Sequence, residues 1–254
     1  LRKVRRDTPL GRVLADAGQV LDEPQRAPYV SMAGFPTFET FLATTKAKTR
    51  KNVRNATHRL QKLGTVTHRI ERRSKHMDAA LAHCYDLRST WLEHRGLTST
   101  AFAHPAFFEL VRGLAAPESH AVDVLSMMLM LDDAPISIHY GFLHNRRYYA
   151  FMAARDPDYD ACSPGKVHLE HVLAACNAHG IETVDLLAPE MAYKHAWASG
   201  TVEIVDVGVT WSLRGWLAID VWRRHMRPLL RKTFLALPGA VRQKVATRLR
   251  APRN

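Results

Sequence analysis

Residues 146–180 read RRYYAFMAARDPDYDACSPGKVHLEHVLAACNAHG, and this stretch decides the fold. A tyrosine-rich strand from Arg146 to Ala154 runs through a short loop, Asp160 to Lys166, into a helix that ends at Gly180. Ser163 is a good N-cap, and Pro164 suits the first helical position, where its missing N–H would have had no intrahelical partner. Gly165 and Lys166 follow with N–H groups that point out of the helix start. The macrodipole adds partial positive charge there, and a residue without a side chain lets an anion approach the backbone. Ser163, Pro164, Gly165 and Lys166 are therefore a candidate anion site of the kind a pyrophosphate needs, set against the plainer reading of a capped helix.

Working outward, the pattern continues in both directions. Downstream come a strand over Glu182–Leu187, a helix containing Tyr193-Lys194-His195-Ala196-Trp197, and a strand from Val202 to Trp211. Upstream, Val122–Leu131, Ile136–Leu143 and the Arg146 strand form an antiparallel meander, with turns at Asp132–Pro135 and His144-Asn145. Helices are expected over Met77–Arg95 and Pro105–Ala115, and a strand over Thr65–Ile70. Before these, Pro36 opens one long helical pattern in which Phe38, Phe41, Leu42, Thr45, Val53, Ala56, Leu60 and Leu63 recur at steps of three and four, closed by Gly64. Residues 1–35 read as irregular, with one strand near Tyr29–Met32.

A chain of 254 residues, 46% hydrophobic, holds one large domain or two small ones with a real core. Cys84, Cys162 and Cys176 have no paired spacing and no secretory leader precedes them, which points to a reducing, cytoplasmic compartment. No stretch reaches the ~20 apolar residues of a spanning helix. The net charge of +12 is concentrated: residues 44–75 carry +10, residues 212–254 another +10, and the remainder is −8. Two basic surfaces on an acidic body imply anionic partners.

With these elements in this order, the chain resembles the C-terminal domain of the cellulose-biosynthesis-type (CelD-like) acetyltransferases, a branch of the GNAT fold related to the Fem-type peptidyltransferases. Ser163-Pro164-Gly165, Gly180, Asp185 and Tyr193-Lys194 with Trp197 carry the resemblance, joined upstream by Lys48, Arg50, Arg54, Trp91 and Arg95-Gly96. It implies an α/β fold with a GNAT-like mixed central sheet, an antiparallel meander and flanking helices over 36–211. Residues 1–35 are then the remainder of a truncated first half, and residues 212–254 a basic amphipathic helical tail. The implied reaction is transfer of an acetyl group from acetyl-CoA to an amine, on an amino sugar or carrier-linked precursor of exopolysaccharide or cell envelope. Two rivals stand beside it. One is a Fem-type transferase using aminoacyl-tRNA; the other is a non-catalytic module that binds a nucleotide or acidic lipid.

Acyl transfer from a thioester needs few side chains: the donor must be held, the amine deprotonated and the oxyanion stabilised. Asp185 lies in an apolar strand and needs water or a partner, for which Lys194 is the candidate. The assigned roles are Lys194 at the oxyanion or an acceptor phosphate, Asp185 orienting it, and Tyr193 protonating the thiolate; a structural Asp185–Lys194 pair is the alternative. Ser163, Pro164, Gly165 and Lys166 bind the donor, and Lys48, Arg50, Arg54 and Trp91 the acceptor. His168 and His171 are three apart with no third ligand, so no metal is expected. In the tail, Trp222, Met226, Leu230 and Phe234 form one ridge beside Arg223, Arg227 and Arg231, the pattern of a helix on an anionic membrane surface, kinked at Pro228. Docking on the protein itself is the alternative there.

Overall fold

The computed structural model describes residues 1–236 except 73, 95, 98, 100, 103 and 117–121, together with all side chains of these except 223, 224, 231 and 235. Arg95 and the tail beyond 236 lie outside the described residues. In chain order the elements are β1 (Val4–Arg5), α1 (Pro9–Ala17), β2 (Gln19–Val20), β3 (Gln25–Ser31), α2 (Phe38–Thr44), α3 (Ala47–Gln61), β4 (Val66–Arg72), α4 (Met77–His94) and α5 (Pro105–Ala115). There follow β5 (Asp123–Leu131), β6 (Ala134–His144), β7 (Arg147–Arg155), α6 (Pro164–Ala178), β8 (Thr183–Asp185), α7 (Ala192–His195), β9 (Gly200–Val205), β10 (Val207–Gly208), α8 (Leu213–Trp216) and α9 (Arg227–Ala236).

The chain divides into two compact units, and the larger comprises residues 29–187 and 191–199. Its mixed sheet runs β3-β8-β7-β6-β5-β4, antiparallel throughout except for the β7–β8 pair. The expected meander is β5-β6-β7. Its second turn places Asn145 and Arg146 at φ 48° and 57°, the two-residue turn whose backbone twist matches that of the strands. One face of the sheet carries Val30, Met127, Tyr148 and Val184 against α2, α3 and α6, with Leu169 and Leu173 contributed by α6; the other carries Met128, Ile138 and Tyr140 against α4 and α5. Mid-β6, the register slips between Tyr140 and Phe142. Gly141 sits in that bulge because a Cβ there would lie 2.3 Å from the Tyr149 carbonyl oxygen and against the Tyr148 ring.

The single long helix expected from Pro36 is two. Thr45 (φ −72°, ψ 145°) and Lys46 (φ −53°, ψ 133°) leave the helical region. The exposed end of α2 is closed by Arg50, whose Nη1 donates to the carbonyls of Leu42, Ala43 and Thr45. Periodicity carried across the break because both helices bury the same stripe. α6 ends as expected, with Gly180 at φ +69° and the Ile181 N–H donating to Cys176 O (2.9 Å), a Schellman closure.

The smaller unit comprises residues 1–28, 188–190 and 200 onward. Residues 1–35 hold more regular structure than expected: Thr8 caps α1 by accepting from Gly11 N–H, with Pro9 at the first turn. Val4 pairs with Val205 and Val20 with Val207, around a small core of Val4, Val205 and Val207. The strand expected to reach Trp211 ends at Gly208. Beyond it, Ser212 accepts from Gly215 N–H to start a helical run. The kink expected at Pro228 takes the form of a widened π segment, Leu217–Met226, in which the Arg227 N–H donates to Trp222 O, five residues back. Pro228 has no N–H for a regular turn and its ring crowds the carbonyl four residues back, so the turn before it opens.

Candidate active site

β7 and β8 are hydrogen-bonded over three pairs, Arg147–Thr183, Tyr148–Val184 and Tyr149–Asp185, after which they part. β7 runs on to Arg155, whereas β8 stops and Leu187 turns away in the left-handed region (φ 54°). Where the strands part, the carbonyls of Leu186 and Leu187 have no sheet partner. Lys194 fills that role: its Nζ donates to Leu186 O (2.7 Å) and Leu187 O (2.8 Å), and the residue is 7% exposed. α7 positions it, closed by the Lys194 and His195 N–H groups donating to Met191 O.

Asp185, 3% exposed, has further partners that sequence reasoning did not name. Arg147 Nη1 lies 3.3 Å from its Oδ2, and the Leu187 N–H donates to Oδ1 (3.0 Å). The Asp185 charge nonetheless acts on Lys194. Burial brings the Lys194 pKa down from 10.5 to about 8; Asp185 opposes this and Arg88 adds to it. A lysine with that pKa populates both protonation states near neutral pH.

Arg88 is the residue that sequence reasoning missed. It projects from α4 with its guanidinium carbon 4.5 Å from the Trp91 ring centroid, so the expected acceptor residue Trp91 serves as a cation–π platform. The i, i+3 spacing of Arg88 and Trp91 on one helix was the available signal. Burial lowers the Arg88 pKa, Cys84 and Tyr193 counter it, and Arg155 adds to it. Among the described residues, no carboxylate pairs with Arg88. Tyr193 stands in the same field: burial raises its pKa, while Arg155 and Arg88 pull it down. Lys194, Tyr193, Arg88 and Arg155 thus gather beside the parting strands; Arg155 pairs with Asp160 at 2.6 Å, and Lys194 lies in the field of Asp185.

At the α6 start, Ser163 is the N-cap residue but in the left-handed region (φ 56°), and its hydroxyl makes no capping bond. The Lys166 N–H is already taken by Ser163 O (3.0 Å), which corrects the expected pair of outward donors and leaves Gly165 of the two. A Cβ on Gly165 would touch only Arg155 Cδ, at 3.6 Å, so the space over this backbone is open. An open, side-chain-free helix start flanked by the exposed Lys166 and by Arg155, itself bonded to Asp160, has the character of an anion site. Cys162 packs beside Leu60 and Val167 as a small apolar residue. Lys48 and Arg54 lie on the exposed side of α3, while Arg50 is engaged at the α2 end.

Behind β6, four histidines that spacing did not single out come together. His168, 1% exposed, has Nδ1 2.8 Å from Ser137 Oγ, and its ring meets His139 edge-on at 4.8 Å. His171 stacks on His68 at 3.4 Å, and these two with His168 line a cleft of about 290 Å³ between α6 and the β4–β5 pair. Burial lowers the pKa of all four. For His139 it falls to about 4, with Lys194 adding to the effect, and for His68 to about 4, with His171 adding.

A family model described as an acetyltransferase (GNAT) domain matches residues 47–195, from the start of α3 to the end of α7. The chain belongs to the GNAT acetyltransferase family. No curated protein sequence matches it. Among solved structures, FemX superposes with a TM-score of 0.52 at 13% identity over 80% of this chain and 70% of FemX. The C-terminal domain of a protein assigned as a lysylphosphatidylglycerol synthetase from Agrobacterium fabrum gives 0.53 at 14% identity, over 80% and 65%. A protein of unknown function from Bacteroides thetaiotaomicron gives 0.51 at 12%, over 78% and 66%. At these identities the likeness is one of fold, and the chain spans about two thirds of each. In the GNAT domain, the site described above lies inside the matched region.

Proposed function

We propose that this GNAT domain transfers an acetyl group from acetyl-CoA to the amine of an acceptor that carries an anionic group, an amino sugar or carrier-linked precursor of the CelD-like type. One observation supports this most: a buried lysine with its pKa near 8, set where β7 and β8 part, beside an Arg88 without a carboxylate. An uncompensated, half-buried guanidinium suits an anion brought by substrate, since charge-assisted hydrogen bonds to phosphate or carboxylate are the strong ones. The donor's phosphates lie along Gly165, Lys166 and Arg155. The acceptor nitrogen attacks the thioester carbonyl; the C–N bond forms, the C–S bond breaks, and the nitrogen releases one proton to solvent water. Lys194, charged below pH 8, stabilises the oxyanion, with Asp185 favouring its ammonium form. Tyr193, kept protonated by burial, gives its proton to the departing thiolate and recovers one from solvent.

Aminoacyl-tRNA as donor is the rival, and the exposed Lys48, Lys51, Arg54 and Arg59 on α3 favour it. Calorimetry with acetyl-CoA, coenzyme A and a tRNA pool, followed by a thiol-release assay on a panel of phosphorylated and plain amino sugars, separates the two. Micromolar acetyl-CoA binding and thiol release that is greatest with the phosphorylated amines are expected. Absence of coenzyme A binding alongside RNA-dependent transfer would overturn the reading.

A further inference from the structure

The run from Trp211 to Ala236 turns large apolar side chains to solvent: Trp211 is 88% exposed, Leu213 74% and Trp222 53%, with Trp216, Leu217, Val221, Met226, Leu229 and Leu230 also exposed. Three of the five tryptophans of the chain fall within residues 211–222. Its helical part, Leu213–Ala236, is roughly 36 Å long at 1.5 Å per residue. None of the described helices is long and apolar enough to cross a membrane. The same run carries Arg214, Arg223, Arg224, Arg227, Arg231 and Lys232 in sequence against the single acid Asp220. Exposed apolar area of this size marks a contact surface rather than a solvated helix.

We infer that residues 211–236 bind the surface of an anionic lipid bilayer, lying in the plane of the headgroups. The charge selects this occupant. A second copy of the run would bring a like-charged helix against it, whereas acidic headgroups neutralise it and accept the indole rings, which favour the membrane–water boundary. Membrane contact is independent of the proposed acyl transfer and deepens nothing in it; either stands without the other.

The test uses the full chain with vesicles of phosphatidylglycerol and phosphatidylcholine in equal parts, and with phosphatidylcholine alone. Co-sedimentation with the anionic vesicles only, a blue shift of tryptophan emission and quenching by brominated lipids are expected, all reduced by salt. Each basic residue near such a surface changes partitioning about fivefold, so Arg227→Gln with Lys232→Gln weakens it about 25-fold. Trp216→Ser with Trp222→Ser weakens it tenfold or more at an unchanged melting temperature. Equal binding to neutral vesicles, no binding to anionic ones, or a solution dimer that the tryptophan variant disperses would each overturn the inference. The brominated-lipid measurement needs no variant, so a misfolded mutant cannot decide the matter.

Discussion

Replacing Lys194 by methionine keeps the side-chain stem and removes the charge. Two effects on stability oppose each other. The fall of the Lys194 pKa from 10.5 to about 8 corresponds to about 3 kcal/mol of burial cost below pH 8, which methionine relieves. Against this, the hydrogen bonds to Leu186 O and Leu187 O are lost, about 1.5–3 kcal/mol each. Asp185 is not left alone, because Arg147 remains 3.3 Å away and the Leu187 N–H still donates to it. The net change at pH 7 is therefore within about 3 kcal/mol, and the melting temperature falls by no more than about 10 °C. Turnover should fall about 100- to 1000-fold, the cost of losing one oxyanion stabiliser. The pH signature is specific. Between pH 8 and 10.5 the unfolded chain holds a proton on Lys194 that the folded chain has lost, so wild-type stability rises with pH across that window; the variant lacks this rise. Wild-type kcat should fall above about pH 8 as the ammonium is lost. Thermal melts at pH 7.5, 8.5 and 9.5 and initial rates of thiol release measure both. A variant with a normal rate per folded molecule, or a wild-type rate that climbs through pH 8, would refute the assigned role.

Arg88→Met should raise the acceptor KM about 10- to 100-fold with donor KM unchanged, the loss expected for one charge-assisted bond; equal effects on both substrates in steady-state kinetics would place Arg88 elsewhere. Gly165→Asp should abolish coenzyme A binding in calorimetry while the fold survives, because the new Cβ meets only Arg155 Cδ; unaltered affinity removes this helix start from the donor site. His139 and His168 are buried with pKa values below that of free histidine, so the unfolded chain binds protons first as pH drops. Their stabilisation is complete above about pH 6.5 and is lost toward pH 4, by up to about 1.4 kcal/mol per pH unit for each. Urea titrations from pH 7 to 4.5 should show that slope, and His139→Gln should flatten it.

The meander, the Pro105 helix, the α6 start and the Gly180 stop were legible because each rests on local rules: alternation, a proline at the first turn, a glycine at positive φ. Lys194, Asp185 and Tyr193 were legible as a group, since they follow one strand. The other groups that hold them were not. Leu186 and Leu187 present carbonyls rather than charges, and Arg147 reaches Asp185 across a strand pair 38 residues apart in sequence, so no spacing rule connects them. The histidine group was hidden for the same reason, being assembled from α6, β4 and β6, whereas Arg88 left the one local trace of its i, i+3 spacing to Trp91. The break at Thr45-Lys46 escaped because both helices bury one continuous stripe, and what ends α2 is the Arg50 side chain from the next helix.

Strand β3 joins β8 through Tyr29, Val30 and Ser31 opposite Asp185, Val184 and Thr183. About 150 residues of chain lie between these partners, so closing that ladder carries the largest loop entropy of any strand pair within the larger unit. β5, β6 and β7 can zip as hairpins in microseconds to milliseconds, whereas the β3–β8 ladder must wait for α6 to carry the chain back. During synthesis, β3 emerges first and stands without a partner until nearly the whole domain is outside the ribosome. Lys194 follows β8 by only nine residues, so the candidate site assembles at the moment these strands are joined. A chain stalled before that point holds native hairpins and an unpaired, apolar edge, a form prone to stick to its own kind, and it has no activity to betray its presence.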